Sequence, residues 1–174
     1  MTAPLLVRLD ARDRALMLRC AIPLAASWRS RLAWVAVTHL GGTGPTVAAA
    51  TVPWFQCCAL HAASRLALTT LIVSHLLVQV MKRTVVRARP AESGMPGAVV
   101  AEPDRFSFPS GHAAAAMSVA LGYGVTFPMV ALPLLLLALL VGFSRVRLGV
   151  HFPGDVLVGQ AMALVTGGVV LLIS

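Results

Sequence analysis

The sequence predicts an all-α integral membrane protein, a helical bundle of about five to six helices with an amphipathic N-terminal segment. Three observations carry that expectation. Apolar residues make up 58% of the 174 residues and charged residues only 11%; a soluble domain is about a quarter charged, so this chain lacks the polar material to clothe a water-soluble globule. Beyond residue 31 the apolar residues gather into long segments, and one long polar stretch, Lys82 to Gly111, interrupts them. The length fits one domain.

The elements follow in order. Residues 1–31 mix Arg8, Arg12, Arg14, Arg19, Arg29 and Arg31 with Leu5, Leu6, Val7, Leu9, Leu16, Met17 and Leu18, the pattern of an amphipathic segment lying in the membrane interface. Its longest uncharged piece, Cys20 to Trp28, is too short to cross hydrocarbon about 30 Å thick. Asp10, Arg12, Asp13 and Arg14 fall where the apolar core of a cleavable leader would sit, so none is expected. Residues 32–174 are read as the membrane-embedded domain. Gly41-Gly42-Thr43-Gly44-Pro45 breaks any helix running from Leu32. Five apolar segments follow: Thr43–Leu60, Ser64–Met81, His112–Phe127, Met129–Phe143 and His151–Ile173. The third and fourth are short and form a tight hairpin around Pro128. They cross out and back, so the polar loop 82–111 and the turn Arg145–Val150 emerge on the same membrane face.

The net charge of +8 divides into the N-terminal arginines and a second group, Lys82, Arg83, Arg87, Arg89, Arg105, Arg145 and Arg147, with Arg65 apart. A nucleic-acid partner is not expected, because no soluble basic module with stacking aromatics is present. Anionic membrane lipid suits the first group. Cys20, Cys57 and Cys58 show neither a disulfide framework nor metal spacing and read as small packing residues.

The second basic group accompanies a pattern. The loop begins Lys82, six residues, Arg89-Pro90, and ends Pro109-Ser110-Gly111-His112. The turn reads Ser144-Arg145, five residues, His151, three residues, Asp155. In all eleven positions this resembles the signature of the type-2 phosphatidic acid phosphatase family, whose soluble relatives include vanadium haloperoxidases. The resemblance covers Lys82 to Asp155. It implies that His151 attacks phosphorus to give a phosphohistidine, without a metal or other cofactor. Asp155 would orient the ring from one helical turn away. His112 would protonate the departing lipid oxygen and then activate water.

The residues support that reading on their own chemistry. A transferring phosphoryl group spreads negative charge over three oxygens, which a dry site stabilises with fixed cations and oriented N–H donors. Lys82, Arg89 and Arg145 supply cations, and arginine's planar fork suits bidentate contact with phosphate. Ser110 and Gly111 stand where Pro109 ends the loop and an alanine-rich helix begins, and a helix start cradles anions. Ionisable residues between two apolar spans are expensive and usually functional. The expected substrate is a phosphorylated lipid, such as phosphatidic acid, phosphatidylglycerol phosphate or a polyprenyl phosphate or diphosphate. The expected location is the cell membrane, as a multi-pass protein.

Other readings fit less well. A haloperoxidase of this kind is soluble and larger. A non-catalytic lipid-phosphate binding or transport protein would not need His112 and His151. A serine protease fails because a cationic ring serves no peptide carbonyl. An iron or zinc site at His112, His151 and Asp155 would sit among three repelling cations. Arg83, Arg87, Arg105 and Arg147 are expected to flank the pocket or touch headgroups; Glu92, Glu102 and Asp104 to decorate the loop and balance its charge; Tyr123 to pack; His39, His61 and His75 to be structural or interfacial. Five spans would put the arginine-rich start and the site on one face, cytoplasmic by the positive-inside rule; a sixth, N-terminal crossing would turn the site outward. Oligomeric state is left open.

Overall fold

The computed structural model describes residues 5–23, 25–56, 58–95, 98–100 and 104–173, with side chains from residue 10 onward. Cys57, Glu102, Pro96 and Pro103 lie outside the described residues. Seven α-helices are present among those described: α1 (Leu5–Cys20), α2 (Trp28–His39), α3 (Thr43–Thr51), α4 (Cys58–Val85), α5 (Gly111–Thr126), α6 (Pro128–Arg147) and α7 (Pro153–Ile173). The protein is a membrane-embedded all-α bundle, with slightly more helices than the five to six expected.

Three helices, α4, α6 and α7, are long and apolar enough to cross a membrane. At 1.5 Å per residue each reaches about 30 Å or more. Their outer faces carry exposed Leu76, Val80, Leu132, Leu136, Val165 and Leu172, an apolar surface suited to lipid and not to water. α5 is shorter and packs against α4, α6 and α7, burying Ala113, Ala114, Met117, Ser118, Ala120 and Gly122. Small residues let α4 and α5 cross closely: a Cβ on Gly122 would lie 2.5 Å from the Ala67 backbone nitrogen. Hydroxyls join the same helices where no water competes, with Ser74 3.0 Å from Ser118 and Ser64 3.1 Å from Tyr123. Tyr123 also donates to the Ala49 carbonyl on α3, so it is a polar link as well as a packing residue.

One expected segment is corrected. Thr43–Leu60 is not a continuous helix: α3 ends at Thr51, Val52–Phe55 form a 3-10 turn, and α4 starts at Cys58. Pro53 lacks an N–H and its ring clashes with the preceding turn, so the helix cannot run through it. α4 instead extends beyond Ser64–Met81 at both ends. The α5–α6 hairpin closes at Phe127–Pro128 as expected, with Pro128 in the first helical position, where no N–H is needed. α2 ends at His39, just before Gly41-Gly42. Cys58 is exposed, whereas Cys20 packs beside buried Met17.

α1 lies against α6 and α7 at the end of the bundle that carries the polar loop. Met17 is fully buried with Ala113, Val146, Phe152 and Val156, while Leu16 and Leu18 stay exposed. Two bonds fix the helix end to α6: Ile22 N–H donates to the Arg147 carbonyl and Arg147 Nη1 to the Cys20 carbonyl, each at 2.8 Å.

Candidate active site

The loop after α4 folds back on itself. Val86 takes φ 50°, a left-handed conformation that β-branched residues rarely adopt. The chain then pairs Ala88 with Phe106 in an isolated antiparallel bridge, and Ser107 N–H donates to the Arg87 carbonyl at 2.8 Å. Arg87, Arg89 and Ser107 are thereby held together. At the loop's far end, Ser110 N–H donates to the Asp155 carbonyl at 2.9 Å. Gly159 permits this approach, since a Cβ there would overlap the Ser110 carbonyl. After α6, the Val150 and His151 amides turn back onto the Arg145 carbonyl, so that loop and turn meet as expected.

His151 is 1% exposed at this junction. Its Nδ1 lies 3.6 Å from Asp155 Oδ2 and 3.4 Å from Ser107 Oγ. The first distance is longer than a hydrogen bond, and Ser107, which donates to the same carboxylate oxygen, shares the corner. Nε2 faces the other way, 3.4 Å from Arg89 Nη1. Burial lowers the imidazole's proton affinity, Asp155 partly restores it, and Arg145 and Arg89 lower it further, leaving a pKa of about 4. His151 is therefore neutral at neutral pH, with a lone pair available.

Asp155 is fully buried and saturated: Oδ2 accepts from Phe152 N–H at 2.9 Å and from Ser107, and Oδ1 accepts from Arg87 Nη1 at 2.6 Å. Among the described residues no three His, Cys, Asp or Glu side chains are grouped to hold a metal ion.

The predicted cations converge. Lys82 and Arg89 are buried and both meet Asp104: Lys82 Nζ lies 2.9 Å from Oδ2, and Arg89 Nη2 2.9 Å from Oδ1. Arg89 Nη1 also donates to the Val150 carbonyl at 2.9 Å. Arg145, 1% exposed, donates from Nη1 to Thr38 Oγ1 at 2.7 Å. Ser110 Oγ is buried with no hydrogen-bond partner among the described residues, at the N-cap of α5. An unmet hydroxyl there suits a ligand oxygen.

A cavity of about 430 Å³ joins Lys82, Gly111, His112 and His151 to an apolar flank from α3 and α4. Val47, Ile72 and Leu76 on that flank are also exposed on the outer surface. A second hollow of about 550 Å³ borders Arg89 and Asp104 on the loop's other side, but neither histidine lines it. The first is the candidate reaction chamber. His75 lines it as well and contacts Gln79; His61 stays structural, against the Trp54 ring and carbonyl.

Sequence reasoning missed several residues. Ser107 stands three positions before Ser110, a spacing that carries no signal of its own. Thr38, which holds Arg145, comes from α2. Arg87, expected to flank the pocket or touch headgroups, contacts Asp155. Asp104 balances charge as expected, but on the two cations assigned to phosphate. Partial burial works against its ionisation, yet Lys82 and Arg89 outweigh this and hold its carboxyl below the usual range. It is thus charged at neutral pH, and the pairing weakens only as pH falls through that lowered value. Asp104→Asn is expected to strengthen inhibition by inorganic phosphate on the order of fivefold, because a competing anion is removed; inhibition constants at pH 7 check this.

Comparison with known proteins bears on this arrangement. A family model described as the PAP2 superfamily matches residues 63–174, more than half of the chain. Among curated proteins, the decaprenylphosphoryl-5-phosphoribose phosphatase of Mycobacterium tuberculosis is 37% identical over 102 residues, covering 56% of this chain and 54% of the relative. The lipid A 1-phosphatase of Rhizobium etli is 33% identical over 98 residues, covering 53% and 42%. The chain thus spans about half the length of these relatives. The crystal structure of a transmembrane PAP2-type phosphatidylglycerolphosphate phosphatase from Bacillus subtilis superposes with a TM-score of 0.73 at 27% identity, covering 96% of this chain and 88% of that one.

Proposed function

Because this chain belongs to the PAP2 superfamily, we propose that it removes a phosphate group from a membrane lipid by way of a phosphohistidine at His151. The observation that carries the proposal is the cavity in which a neutral, buried imidazole meets Lys82 and His112 at one end and an apolar helix flank at the other. A lipid phosphate has that same polarity.

In the first step the His151 Nε2 lone pair attacks phosphorus as the bond to the lipid oxygen breaks. Protonated His112 gives its proton to that oxygen, and the lipid alcohol leaves. Asp155 steadies the imidazolium that forms on the phosphorylated ring. Lys82, Arg89 and Arg145, with the Gly111 amide and the Ser110 hydroxyl, bind the three equatorial oxygens. In the second step neutral His112 takes a proton from water, whose oxygen attacks phosphorus. The P–N bond breaks, its electron pair returns to His151, and inorganic phosphate departs. Asp104 yields Lys82 and Arg89 to the incoming phosphate.

The relatives' names place a phosphate on a prenyl-linked sugar, on lipid A and on a phosphatidylglycerol headgroup. What these share is a phosphate ester on a lipid anchor, and that is the substrate class proposed here, in the cell membrane. The test is a phosphate-release panel with purified protein in detergent: phosphatidic acid, phosphatidylglycerol phosphate, an undecaprenyl phosphate and diphosphate, and water-soluble glycerol phosphate as control. Release from at least one lipid, well above the control, is expected. Release from glycerol phosphate alone would overturn the lipid reading.

A further inference from the structure

Arg87 lies outside the eleven signature positions, yet its guanidinium meets three carboxylates beside the site. Nη1 lies 2.6 Å from Asp155 Oδ1 and 2.8 Å from Asp13 Oδ2, and Nη2 lies 2.8 Å from Asp10 Oδ1. Its guanidinium carbon sits 4.1 Å from the centre of the Phe152 ring. Burial disfavours its charge, but the surrounding carboxylates more than compensate and strengthen it. Asp10 and Asp13 both belong to α1. Asp13 also accepts from Gly154 N–H at 2.7 Å, and Asp10 is further tied to Arg14 at 2.7 Å. α1 precedes the residues matched by the family model.

We infer that Arg87 is a positioning residue for Asp155, and that α1, through Asp10 and Asp13, holds Arg87 in that position. Asp155 bonds Phe152 N–H and Ser107 with one oxygen and leaves the other to Arg87. A buried carboxylate deprived of that partner would reorient or draw a proton onto His151. The guanidinium bridges because its rigid planar fork spreads its donors over three nitrogens, whereas an ammonium holds its three on one. Helix α1 is then part of the apparatus that sets the carboxylate behind the nucleophile. This role rests on the phosphatase reading, since it concerns how the His151–Asp155 pair is aimed.

The charged groups facing His151 fix the expected pH behaviour. Arg89 approaches from the loop, Arg145 from the end of α6 and Asp155 from the start of α7; Lys82 on α4, Asp104 on the loop and His112 on α5 line the same cavity. Removing the Arg87 charge leaves Asp155 less neutralised, so its pull on a His151 proton grows and the acid limb of activity moves to higher pH.

Arg87→Gln, Arg87→Lys, Asp13→Asn and the Arg87→Gln/Asp13→Asn double variant are to be assayed with dioctanoyl phosphatidic acid and farnesyl diphosphate in micelles. Arg87→Gln is expected to lower kcat roughly tenfold or more with KM within about twofold of wild type, and to shift the acid limb upward by about half a unit or more. Arg87→Lys should lie between wild type and Arg87→Gln. Asp13→Asn should lose activity in the same sense, and the double variant should be no slower than Arg87→Gln alone. Independently of activity, hydrogen exchange over residues 149–156 should rise in Arg87→Gln, as the Phe152 and Gly154 amides lose fixed acceptors. Wild-type kcat and pH profile in Arg87→Gln, a loss confined to KM, additive losses in the double variant, or unchanged exchange would each overturn the inference. If wild type hydrolyses neither probe while exchange rises, the phosphatase reading is in question and the Arg87–Asp155 link stands.

Discussion

Replacing His151 with alanine is expected to abolish phosphate release from lipid phosphates, a fall of about a thousandfold or more, because the proposed covalent step has no other nucleophile. The expectation rests on placement as well as residue type. The ring is buried between Asp155 and Ser107 on one side and Arg89 on the other. Its proton affinity is depressed chiefly by that burial, to a pKa of about 4, so it remains unprotonated through the neutral range. A chelator is expected to leave the wild-type rate unchanged, since both Asp155 oxygens already accept hydrogen bonds from Arg87, Ser107 and Phe152 N–H. Steady-state phosphate release, with and without chelator, checks both outcomes. A rate lost to chelator and kept by His151→Ala would point to metal-assisted hydrolysis instead.

Arg145→Lys is expected to be nearly as severe, lowering kcat about a hundredfold although the charge is conserved. Arg145 is 1% exposed, and Nη1 is committed to Thr38 Oγ1 at 2.7 Å. That anchor fixes the guanidinium plane, and a planar fork can present more than one N–H group to a phosphoryl group. A lysine ammonium is a compact point charge that cannot keep the anchor and span two oxygens together. Thr38→Val should show a milder loss in the same assay, because it frees the fork without removing it. A melting temperature near wild type in Arg145→Lys would separate this effect from unfolding.

What was legible in the sequence followed from strong local physics. Apolar segments gave the membrane bundle, Pro128 gave the α5–α6 hairpin, and Gly41-Gly42 gave the end of α2. Lys82, Arg89, Ser110, Gly111, His112, Arg145, His151 and Asp155 were singled out as candidates because their spacing repeats a signature, and the fold brings them around one junction. The break in Thr43–Leu60 was obscured because hydropathy outweighed a single proline, Pro53. The supporting residues were hidden for another reason. Thr38, Asp10 and Asp13 reach the site from α2 and α1 through tertiary packing alone. An arginine near a membrane face has an ordinary role with headgroups, so Arg87 shows its contact with Asp155 only once the loop is folded.

The central claim is that phosphorus is bonded to His151 during turnover. The most direct measurement is mass spectrometry of protein quenched at neutral to alkaline pH within the first turnover of a lipid phosphate substrate, where phosphohistidine survives. A gain of one phosphoryl group mapping to His151, and absent in His151→Ala, is the predicted result. Multiple turnovers by the wild type with no phosphoryl group ever found on His151, and with undiminished release by His151→Ala, would contradict it.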